Sequence, residues 1–200
     1  AITAGASAIG LVGHMPSGPG VISDDIILQI SKSVPPPIGT FLLTSETSVE
    51  KIVKHHLRTK TNTIQLVDTL ATGTYEELRM ALPGIKLVQV IHVMNEKSIQ
   101  EAIEISDKVD AILLDSGNPY LPVKELGGTG RTHNWKLSRR IRESIDIPVF
   151  LAGGLNSANI IQAIEEVQPF AVDLCSGVRT NGKLDKLKLE TLFMTIRLSS

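Results

Sequence analysis

The chain has 200 residues, 42% of them hydrophobic but only 4% aromatic, with 20 Lys and Arg against 21 Asp and Glu for a formal charge of −1. This is enough aliphatic material for one sizeable core and predicts a single α/β domain over residues 1–200. Basic residues spread along the chain exclude the positive stripe that a nucleic-acid partner requires. One cysteine, Cys175, excludes an internal disulfide and agrees with a reducing, cytoplasmic setting. The apolar run 6–12 is far short of the roughly 20 residues of a membrane span, so no membrane partner is expected.

Residues 1–5 read as the last turn of a helix stopped by Gly5, which places further chain upstream. Strands are predicted at 8–12, 39–43, 63–66, 87–92, 111–114, 149–152 and 171–174, mostly continuous aliphatic runs of the kind buried on both faces. Helices are predicted between them. Thr47 with Glu50 and Thr74 with Glu77 have the capping-box spacing, and Ser23 and Asn156 are good N-caps. Apolar faces group Ile26, Ile27 and Ile30, then Ile99, Ala102 and Ile103, then Ile160, Ile161 and Ile164. His55 and His56, among Lys54 and Arg58, read as a solvated face, and Asn181-Gly182 as part of a loop. Seven strands alternating with helices form one βα unit fewer than a (β/α)₈ TIM barrel, so the first unit is expected ahead of Ala1. A doubly wound sheet is the alternative, but no G-x-G-x-x-G follows a first strand.

In a parallel barrel the chemistry sits at the carboxyl ends of the strands. The fifth predicted strand ends there on Asp115, ahead of the loop Gly127-Gly128-Thr129-Gly130. The last two strands run into Gly153-Gly154 and Ser176-Gly177. A lone Gly-Gly marks only a tight turn, but two small-residue turns at adjacent strand ends form a phosphate site from backbone amides. Strand alternation puts Asp173 and Cys175 on one face, so Asp173 points into the barrel mouth, either as an acid or as an acceptor for loop amides. His14, His92, His133 and Asp115 come from separate loops without HxH or HExxH spacing, so no metal is expected. A hydrolase built on His14, His92 and Asp115 is the remotest reading. Cys175 reads as a small core residue, and Trp135 as a packing anchor for the helix it opens.

The segments Ile112-Leu113-Leu114-Asp115, Gly127 through Trp135, Leu151 through Asn156 and Pro169 through Val178 together resemble phosphoribosylanthranilate isomerase, the (β/α)₈ enzyme of tryptophan biosynthesis. The resemblance is dense over 111–178 and weaker upstream, at 6–12 and 64–66. It implies an Amadori rearrangement of N-(5-phosphoribosyl)anthranilate, a small phosphorylated sugar, with no cofactor. Asp115 falls on the family's general acid, Gly153, Gly154, Ser176 and Gly177 on its phosphate site, and Gln65 and Asp173 on its substrate contacts. Three departures accompany it. The family's base, a cysteine on the first strand, lies ahead of Ala1, and Cys175 occupies a serine's place on the last strand. Residues 15–20 hold no arginine where the family grips the anthranilate carboxylate. Val67-Asp68 replaces a His-Gly, adding an acid at the mouth. A divergent isomerase, an isomerase of another phosphosugar and a non-catalytic phosphosugar-binding barrel all remain open, as does the oligomeric state.

Overall fold

The computed structural model describes residues 1–199. Seven parallel strands, β1 (Ala8–Val12), β2 (Gly39–Thr44), β3 (Thr63–Leu66), β4 (Lys86–His92), β5 (Ala111–Asp115), β6 (Val149–Leu151) and β7 (Ala171–Val172), lie in the order of the chain. Each crossover carries a helix: α1 (Asp24–Ser33), α2 (Val49–Thr59), α3 (Tyr75–Ala81), α4 (Lys97–Ser106), α5 (Trp135–Ser144) and α6 (Ile160–Val167). A doubly wound sheet reverses its order at a switch point. This one never does, and it curls as an incomplete barrel whose edge strands β1 and β7 have no strand partner on their outer sides among the described residues. Among the same residues no helix is long and apolar enough to cross a membrane.

The two faces of the sheet carry different clusters, set by the two-residue period of a strand. On β5, Ile112 and Leu114 pack outward with Ile64, Leu66, Ile91 and Leu151 beneath the helices. Ala111 and Leu113 turn inward with Val67, Val88, Val90 and Ala152, against Phe41 and Phe150. Asp115 continues the inner parity, as do Gln65 on β3 and Asp173 just beyond β7.

Several local expectations change. The sheet pairing of β7 stops at Val172, so Leu174 lies outside the strand. The Thr74–Glu77 capping box forms at α3, but α2 begins after Ser48 with no side-chain cap. The Thr47 carbonyl is taken instead by the amides of Ala71 and Thr72, which fixes the chain as a β-bridge there. Helix α6 starts at Ile160 rather than near Asn156, whose side chain donates to Gly154 O at 3.1 Å and accepts from Ala158 N. Ile26 and Ile103 are exposed, while Ile27 and Ala102 alone carry the fully buried contacts of their faces. Asn181-Gly182, both at positive φ, turns a two-residue hairpin between β8 (Arg179–Thr180) and β9 (Lys183–Leu184) instead of lying in a plain loop. The last helix, α7 (Lys186–Leu198), follows it.

His55 and His56 are buried, at 5% and 7% exposure, not solvated. His55 Nε2 lies 3.1 Å from Asp24 Oδ1 and its Nδ1 lies 2.9 Å from Thr44 Oγ1, tying the start of α1 and the end of β2 to α2. His56 Nε2 donates to Thr61 O at 2.8 Å, closing the turn after α2. Sequence spacing placed both on a polar stretch, but the contacts that bury them come from other elements.

Candidate active site

A cavity opens at the carboxyl ends of the strands. Asp115, Gln65, Asp173, Gly153, Gly154 and Ser176 line it. Gly177 stands behind the lining: a Cβ there would meet Leu155 O at 1.9 Å, so only glycine lets the last turn pack this closely.

Asp115 is 8% exposed. Its Oδ1 accepts from Ser116 N at 2.7 Å, and a Cβ on Gly127 would lie 2.9 Å from its Oδ2, so the glycine loop rests directly on the carboxylate. Ser116 Oγ and Thr129 Oγ1 are 2.8 Å apart, tying that loop to the strand end. Two further contacts hold it down. Ser17 Oγ donates to Lys124 O at 2.6 Å, and the Lys124 ammonium pairs with Asp68. The added acid at the mouth is thereby neutralised and does not face a ligand as a free charge.

Asp173 has many barrel atoms around its carboxyl, yet the residue is exposed to solvent. That crowding, with the Asp115 charge second, pushes its carboxyl up to about 6. Cys175 shares the cavity wall and is half-buried rather than sealed in the core. Burial pushes its thiol up against the pull of Arg179.

Gly153 and Gly154 adopt φ of +83° and +63°, which turns the chain so that small backbone groups, and no side chain, face the cavity. Gly154 approaches the Gly130–Arg131 backbone, and Gly153 approaches His133 and Ser116. His133 Nε2 lies 2.7 Å from Ser138 Oγ, and burial drives its imidazole down to about 4, so the ring at the phosphate turn is neutral at neutral pH. His92 Nε2 donates to Val67 O at 3.1 Å, and among the described residues no cluster of three His, Cys, Asp or Glu side chains could hold a metal. Sequence reading missed Lys124 and Arg179, and weighed His133 only as a metal ligand. For Arg179, its place just past the Ser176-Gly177 turn was a usable signal.

Residues 13–195 match the family model described as N-(5'-phosphoribosyl)anthranilate (PRA) isomerase. The chain belongs to this isomerase family. A relative from Methanocella arvoryzae named N-(5'-phosphoribosyl)anthranilate isomerase is 32% identical over 190 residues, covering 95% of this chain and 87% of its own. The crystal structure of the Thermotoga maritima isomerase superposes with a TM-score of 0.79 at 29% identity, over 98% of this chain and 90% of that one. An isomerase solved in complex with reduced 1-(o-carboxyphenylamino)-1-deoxyribulose 5-phosphate gives 0.76 at 27%, with the same coverage. Isomerase activity and a place in tryptophan biosynthesis come with the family, and the parallel sheet agrees with the barrel of these structures.

Proposed function

We propose that this protein carries out the Amadori rearrangement of N-(5-phosphoribosyl)anthranilate in a single barrel domain, with Asp115 as general acid. Protonating the furanose ring oxygen opens the ring. Removing the proton from C2 then carries the aminoaldose to the aminoketose. Both steps only move protons, which is work for side chains alone and calls for no cofactor. The observation that carries the reading is the convergence, in one cavity, of a covered carboxylate at the end of β5 with the glycine turns after β6 and β7. The phosphate sits on the Gly153–Gly154 and Ser176–Gly177 amides, and Gln65 and Asp173 contact the sugar. The base is a cysteine on a strand upstream of Ala1. That strand pairs with both β1 and β7, a placement supported by the two edges that have no strand partner among the described residues. Cys175, the one cysteine of residues 1–200, fits a cytoplasmic setting.

The test is a fluorescence assay of the full-length protein with freshly generated phosphoribosylanthranilate, run beside Asp115→Asn. The amide keeps the shape but cannot deliver a proton, so kcat falls by about 10²–10⁴-fold with little change in KM. An Asp115→Asn variant as active as wild type removes Asp115 from its role. An inactive wild type that still binds phosphate transfers the site to another phosphosugar.

A further inference from the structure

The ligand of the related isomerase complex, a carboxyphenylamino deoxyribulose 5-phosphate, bears an anion at each end. The cavity wall supplies no Lys or Arg, and its charged side chains, Asp115 and Asp173, have the wrong sign for either end. Glycine amides suit the phosphate. A desolvated carboxylate at the other end still needs a counter-charge.

Arg179 stands where that charge is missing. Its Nη2 lies 3.2 Å, and its Nη1 3.8 Å, from where a Cβ on Gly20 would be, beside Gly18 and Pro19 of the cavity wall. On its other side the guanidinium faces the Cys175 thiol, which also lines the cavity. Nη1 donates to Gly182 O at 2.8 Å, bracing the fork against the β8–β9 turn. All the other arginines but Arg197 have a carboxylate within 4.0 Å, and Arg197 donates to Ala4 O. Among the described residues Arg179 has none. Nor does it crowd the Gly153-Gly154 half of the phosphate site, where the nearest neighbours are His133, Ser116 and the Gly130–Arg131 backbone.

We propose that Arg179 binds the aryl carboxylate of the substrate, reaching into the cavity between Cys175 and the loop at Gly18–Gly20. The inference rests on the isomerase reading above. A planar fork already held by one carbonyl is organised to meet a planar carboxylate, and the 18–20 loop has no cation of its own.

The experiment measures dissociation constants by calorimetry for full-length wild type, Arg179→Gln and Arg179→Lys with three probes. These are the reduced carboxyphenylamino deoxyribulose phosphate, its counterpart lacking the carboxyl, and inorganic phosphate. Wild type prefers the carboxylated probe by about 10- to 100-fold, the worth of a charge-assisted contact. In Arg179→Gln that preference falls to near unity while phosphate affinity holds, and KM rises more than kcat falls. In Arg179→Lys, which keeps charge without the fork, the preference is reduced; this variant carries the test where the Gln form does not fold. A preference that survives in both variants overturns the proposal, as does loss of phosphate affinity with the preference intact. An active wild type with an Arg179-independent preference sinks this inference alone. A wild type that binds no probe and turns over nothing sinks the isomerase reading with it.

Discussion

Asp173 and His133 both titrate below neutrality, with opposite consequences for the fold. The folded-state value of Asp173, about 6, lies above its ordinary 3.8. The folded protein therefore binds more protons than the unfolded chain between those values, and this contribution to stability is present at low pH and lost as pH rises to about 6. His133 is depressed from 6.5 to about 4. The unfolded chain takes the proton first, so that contribution is present above 6.5 and lost as pH falls toward 4. Denaturation midpoints measured from pH 4 to 8 separate the two. Asp173→Asn removes the loss on the rising side and gains relative to wild type above pH 6. His133→Phe flattens the acid limb, even though it leaves the buried Ser138 hydroxyl without its ring partner. A wild-type profile unchanged in slope by either substitution contradicts both assignments. Solvent reaches Asp173, so its effect is smaller than that of a sealed carboxylate. Asp115 was legible because a residue ending an apolar strand announces itself in one dimension. For Arg179 only half was legible: its place just past the Ser176-Gly177 turn puts it near the mouth, but nothing local marks its meeting with Gly20, far off in the chain.

At the scale of elements, the segment between β5 and α5 is a cover held by few contacts. Backbone bonds between Asn118 and Glu125, at 2.8 and 3.0 Å, fold it on itself, and the Asp68–Lys124 pair and the Ser17 contact pin it over Asp115. Asp68 is 12% exposed at its side chain, so losing Lys124 leaves a nearly buried charge unpaired. Lys124→Met is therefore expected to raise KM about threefold and to speed proteolysis between Gly117 and Gly130. Asp68→Asn in the same chain recovers part of the loss, because the stranded charge is gone. Equal proteolysis of all forms would assign the cover to its glycine contacts alone. The strands were readable because their long apolar runs have no competing reading. Helix starts were less so: the Thr47 carbonyl is engaged by the amides of Ala71 and Thr72 and the Asn156 side chain by Gly154, partners that no local spacing reveals.

Across the whole molecule, the sequential strand order and the two-faced core follow from the repeating strand–helix pattern, whereas closure depends on pairing beyond it. The β1 and β7 edges present backbone donors and acceptors without strand partners among the described residues, and the exposed side chain of Phe170 lies beside the β7 edge. The Phe170 ring is tilted against that of Phe150, centroids 6.0 Å apart, and Phe150 in turn lies 6.3 Å from Phe41, so a row of aromatic rings runs from β2 to the exposed start of β7. Open edges flanked by apolar side chains pair with whatever strand is offered. Residues 1–200 alone are therefore expected to associate with rising concentration in sedimentation, and to melt at lower temperature than a chain carrying an upstream βα unit. On the closure proposed above, a longer chain satisfies both edges at once, because one strand inserted at the seam would pair with β1 on one side and β7 on the other. A monomeric, cooperatively melting 1–200 chain would mean that the edges are protected by their own twist and loops, and the upstream strand would then matter for the base it brings rather than for closure.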